Sequence, residues 1–75
     1  MKQPTQRFAV CIDNSGYEAS LIVKKVYEIV PDARAARDDL IRIVDESGED
    51  YLYHIHHFVL VDFPKKVERS LVEAA

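Results

Sequence analysis

The side chains best suited to chemistry are three histidines within four positions, His54-Ile55-His56-His57. Neutral imidazole ligates zinc, copper and nickel, and on an extended segment His54 and His56 share a face. A closed structural zinc site takes four ligands, so this set would need Cys11 or Asp45 from another strand. Metal binding by His54, His56 and His57 is one expectation; histidines that serve a turn and the surface are the plainer alternative. Cys11 with His57 as its base would make a nucleophile pair, but nothing in their spacing positions them. Cys11 also lies inside an apolar run, where a thiol reads as a small buried residue.

Asp45, Glu46, Glu49 and Asp50 surround Gly48. Carboxylates do acid–base work or bind calcium when they converge in a pocket away from water. A hairpin tip projects into solvent, so these four read as a solvated tip whose charges keep a sheet edge from mispairing. Tyr17, Tyr27, Tyr51 and Tyr53 are aromatics with a polar handle, and alternation puts Tyr51 and Tyr53 on one face. That face is either core or, beside Tyr17, a binding platform. Gly16 and Gly48 are the only glycines, so there is no phosphate-cradling loop. The expectation is a protein that is not an enzyme and carries no cofactor.

The elements that must position these groups are short. The chain has 75 residues, 48% hydrophobic, with 13 acids against 10 bases and a net charge of −3. That is one small domain, 1–75, with little stability to spare for a strained site. A lone cysteine points to a reducing cytoplasm, because secreted domains of this size usually need several disulfides. The polar N-terminus and an apolar run that stops at Asp13 imply neither a secretory leader nor a membrane span. The acidic balance disfavours general nucleic-acid binding.

Phe8 to Ile12 alternates large and small apolar residues as a first strand, ended by turn chemistry at Asp13-Asn14-Ser15-Gly16. A long loop follows from Tyr17, with a tight turn near Lys24-Lys25 that lacks the usual glycine. Val26 to Val30 is a second strand stopped by Pro31, and Pro31 to Asp39 is a loop with a helical turn. Leu40 to Asp45 and Tyr51 to Tyr53 flank Gly48 as a hairpin. His54 to His57 is a single turn before a fifth strand, Phe58 to Phe63. After Pro64 the stripe Val67, Leu71 and Ala74 marks an amphipathic helix over 64–75, marginal unless it packs on something.

Five short strands without intervening helices imply an all-β fold that closes into a barrel or a sandwich; the barrel, over 7–63 with a C-terminal helix, is the expectation. Ser20 to Val30 and Tyr51 to Val59 resemble the end of the long first loop and the last strands of a Src-homology-3-like (SH3-like) barrel. More narrowly, Cys11-Ile12-Asp13-Asn14-Ser15-Gly16-Tyr17, Ser20-Leu21, Val26-Tyr27, Val44 to Tyr53 and Phe58 are similar to a group of small uncharacterised bacterial and phage proteins. That resemblance covers residues 8–63 and implies a fold but no mechanism. Relative to that group, His54 stands where proline is frequent and Lys24 where glycine is. The chain has no tryptophan to stack on a proline-rich ligand, so polyproline recognition is not implied.

The leading expectation is a non-enzymatic interaction module that binds a protein partner through Asn14, Tyr17, Glu18, Tyr51 and Tyr53. Self-association as a homodimer would use Val67, Leu71 and Ala74. A metal-binding protein is the alternative, and an RNA-binding accessory using Lys24, Lys25, Arg34 and Arg37 is third.

Overall fold

The computed structural model describes residues 7–73, with side chains over 7–71. Strands β1 (Phe8–Cys11), β2 (Val26–Val30), β3 (Leu40–Val44), β4 (Asp50–His54) and β5 (Phe58–Val61) form one antiparallel sheet in the order β4-β3-β2-β1-β5. A five-residue helix α1 (Ala33–Arg37), a single 3-10 turn (Ile55–His57) and a C-terminal helix α2 (Lys65–Glu73) complete it.

Strand β2 changes partner along its length. Val26 to Glu28 pair with β1, whereas Ile29 and Val30 pair with β3. The sheet is thus two three-stranded halves sharing one strand. Ala9 and Cys11 from one half and Ile41, Ile43 and Tyr53 from the other belong to a single buried cluster with Tyr27, Ile29 and Phe58. A flat sheet could not bring these together, so the two halves fold over a common core. The outermost strands β4 and β5 are not paired with each other. The barrel closure expected from the sequence is therefore not made by the strand ladder. What stands is a mostly β domain of five antiparallel strands with a short terminal helix.

Both faces of β1 are used, as its two apolar sets imply. Ala9 and Cys11 are fully buried in the core, and Phe8 meets Phe63 edge-on at 5.7 Å on the other side. The long loop is braced from within: Asn14 donates to the Leu21 carbonyl at 2.9 Å, and Leu21 is fully buried in the core cluster. The loop closes through Lys24 N–H to Cys11 O at 2.7 Å, with Lys24 at φ 76°. At the other sharp turn Gly48 takes φ +83°, the conformation a side chain would resist. Asp32 caps α1 through Ala35 N–H and also receives Arg42 Nε at 3.0 Å, fastening the helix to β3.

Helix α2 follows Pro64 as expected, starting at Lys65. Arg7 reaches Glu68 at 4.0 Å, and Val67 and Leu71 stay partly exposed. Ala74 lies outside the described residues. Among the described residues no helix is long and apolar enough to cross a membrane.

Candidate functional site

Tyr51 and Tyr53 face the same side of β4, opposite Ile43 and Ile41. Their fates differ: Tyr53 is 4% exposed and Tyr51 49%. Tyr53 is covered because Tyr17 from the long loop stands edge-on over it at 4.9 Å, while Phe58 packs at 6.0 Å. Tyr51 lies nearer the hairpin tip, where it donates to exposed Glu49 Oε1 at 3.3 Å.

Asp45 departs from the solvated-tip expectation. It is buried, its Oδ2 accepts from Tyr53 Oη at 2.5 Å, and its Oδ1 accepts from Ser47 N–H at 2.8 Å and Ser47 Oγ at 2.6 Å. An Asp followed two positions later by Ser folds the carboxylate back onto its own turn, away from the water at the tip. Burial pushes the Asp45 carboxyl up, but the bonds from Ser47 and Tyr53 outweigh it and hold the group below its usual value. Burial, then the bond to Asp45, pushes the Tyr53 hydroxyl up to about 12. A second pair lies beside the first: Glu46 accepts from Lys25 and from Tyr27 Oη, each at 2.6 Å, which keeps its carboxyl low.

Above this floor lies a groove of about 400 Å³ lined by Tyr17, Ser20, Ser47, Tyr51 and Leu52, with Asp45 and Tyr53 beneath. Tyr17, Tyr51 and Leu52 are each 42–49% exposed. Of the partner-binding residues expected from the sequence, Tyr17 and Tyr51 are walls and Tyr53 is floor. Asn14 is a loop brace, and Glu18 turns back to accept from Gly16 N–H at 3.3 Å. Sequence reasoning missed Ser20, Asp45, Ser47 and Leu52. The signal for two of them was the repeated Asp-x-Ser-Gly, at Asp13 to Gly16 and Asp45 to Gly48.

The same turn occurs at Asp13, whose Oδ1 accepts from Ser15 N–H at 2.9 Å and Ser15 Oγ at 2.6 Å. The Ser15 hydroxyl and N–H hold the Asp13 carboxyl below its usual value, with smaller contributions from His57 and His56. One donor atom each from Asp13, His56 and His57 lie within 4.8 Å of one another. His54 stacks on His56 with ring centroids 4.3 Å apart and is outside that trio; its Nδ1 accepts from His56 N–H at 3.4 Å. Cys11 is fully buried and its thiol is pushed up by that burial, while His57 Nδ1 lies against the Asp13 carbonyl at 2.8 Å. Neither the thiol nor that nitrogen is set up for nucleophilic catalysis.

Of the cations in the RNA-binding reading, Lys25 is paired with Glu46, and Arg34 shares a small hollow with Asp32 and Asp38. No protein family, curated protein or solved structure matches the chain.

Proposed function

We propose that the chain is a non-enzymatic interaction module of the cytoplasm, built on an SH3-like arrangement, that holds a basic, extended segment of a partner protein in the Tyr17–Tyr51 groove. The observation that carries this reading is the pair of half-exposed tyrosine rings facing one cleft. Tyr17 is steadied by Tyr53 and His57, and Tyr51 by Glu49. Rings with few rotamers to lose dominate binding hot spots, and their faces attract guanidinium and ammonium groups. The exposed Glu49 sits against the Tyr51 hydroxyl, and the chain is net acidic at −3. Such a rim favours arginine and lysine and repels acidic segments.

The test is an amide-resolved NMR titration of the whole chain with short peptides that alternate arginine with apolar residues, beside an acidic counterpart. Shifts confined to Tyr17, Ser20, Ser47, Tyr51 and Leu52, weakened about tenfold by Tyr51→Ala, support the reading. Shifts spread over the surface, or equal response to the acidic peptide, would refute it.

A further inference from the structure

We infer that Asp13, His56 and His57 form a binding site for a divalent cation of the zinc class, open at a fourth position. The three donors come from two segments that the sheet brings together. Asp13 follows β1, His56 and His57 precede β5, and Cys11 pairs with Phe58 across those strands. The His57 carbonyl then accepts from Ile12 N–H at 2.8 Å and Asp13 N–H at 3.4 Å, so the two turns are clasped through backbone as well as side chain.

His57 is held in the form a metal needs. Its Nδ1 lies 2.8 Å from the Asp13 carbonyl oxygen, which can only accept, so Nδ1 carries the proton and Nε2 keeps the lone pair. An imidazole oriented by a backbone carbonyl is the usual outer support of a metal-ligating histidine. The ring is buried at 6% exposure, which fixes its position. Asp13 is likewise set in place, since Ser15 occupies Oδ1 and those bonds leave Oδ2 unused. His56 is exposed, with the rings of His54 and His57 each 4.3 Å from it and tilted by 40° and 39°.

Ligands at about 2.0–2.1 Å around a tetrahedral ion stand roughly 3.3 Å from one another. One donor atom from each residue already lies within 4.8 Å of the others, so the set closes by side-chain rotation without a change of backbone. Two imidazoles with one carboxylate suit zinc, cobalt or nickel; calcium and magnesium prefer all-oxygen shells. Three protein ligands leave one position for water or for a side chain of a bound partner.

Calorimetric titration of zinc chloride into the untagged full chain tests the site, with Asp13→Asn, His56→Ala and His54→Ala as variants. Asn at position 13 can keep the Ser15 turn while losing the anionic ligand, and His56 is exposed, so both variants can be checked for native circular dichroism before titration. The expected result is one zinc per chain, with affinity reduced at least tenfold by Asp13→Asn and by His56→Ala and kept within threefold by His54→Ala. A rise in the melting temperature with added zinc, absent in His56→Ala, should accompany it. Absence of binding, affinity indifferent to Asp13→Asn, or an equal loss in His54→Ala would overturn the site in favour of casual binding to surface histidines.

Discussion

Tyr53 donates its hydroxyl to the Asp45 carboxylate at 2.5 Å, tying strand β4 to the residue that follows β3. Both groups are buried, and Asp45 depends on this bond for its Oδ2 while Ser47 serves Oδ1. Removing the hydroxyl with Tyr53→Phe leaves a buried carboxylate oxygen short of a partner. The expected loss is about 1–3 kcal/mol, read as a lower urea midpoint at unchanged slope. The double variant with Asp45→Asn should lose less than the sum of the two single changes, because the second removes the charge that the first leaves unpaired.

Stability should fall at both ends of the pH range, for opposite reasons. The Asp45 and Glu46 carboxyls are held low in the folded chain, so their contribution is complete above the unfolded carboxylate range of about 4. It is lost as pH falls through the folded values below that. Tyr53 is raised to about 12, so its contribution is complete below the unfolded tyrosine value and disappears as pH climbs through the folded one. Urea midpoints across pH check both. Asp45→Asn should lessen the fall on the acid side and Tyr53→Phe that on the alkaline side, where Tyr27 is also raised; an acid side unchanged by Asp45→Asn would contradict the assignment.

Lys24 holds φ 76° at the end of the long loop, where its N–H closes on Cys11 O at 2.7 Å. A side chain in the left-handed region costs about 1–2 kcal/mol, and glycine avoids that at the expense of a freer unfolded chain. Lys24→Gly should therefore stabilise by about 0.5–1 kcal/mol. Lys24→Ala, which keeps the strain, should not; equal effects of the two would mean that charge rather than backbone decides.

The strands were legible because each relies on local chemistry. Val26 to Val30 is β-branched and aromatic and stops at Pro31, and the hairpin has Gly48 where positive φ is required. The single turn at Ile55–His57 and the start of α2 after Pro64 follow in the same way. What the residues did not reveal depends on contacts far apart in the chain. Asp13 meets His57 across 44 positions through the β1–β5 pairing, so its place beside the histidines had no local signal. Closure of the barrel depends on how β4 and β5 meet, which alternation within a strand does not encode. Tyr51 and Tyr53 have the same periodicity, and contacts from Tyr17, Phe58 and Asp45 distinguish wall from floor. Asp45 looked like any acid near a glycine, although the Ser two positions on, repeated after Asp13, was the available clue.

Tyr17 bridges the two candidate sites. Its ring stands at 81° to Tyr53, the groove floor, and at 90° to His57 at 5.3 Å. Edge-to-face pairs of this kind add about 0.5–1.5 kcal/mol beyond the area they bury. Although 42% exposed, Tyr17 should thus behave as a structural residue. Tyr17→Ala is expected to cost about 1–2 kcal/mol, whereas Tyr51→Ala, somewhat more exposed and with no ring beneath it among the described residues, should stay within about 0.5 kcal/mol. A double-mutant cycle of Tyr17→Leu with Tyr53→Leu should return a coupling of about 0.5–1.5 kcal/mol. Zero coupling would mean that Tyr17 is held by its loop alone. The groove would then have one wall independent of its floor, and zinc at Asp13 and His57 could not alter peptide binding through that ring.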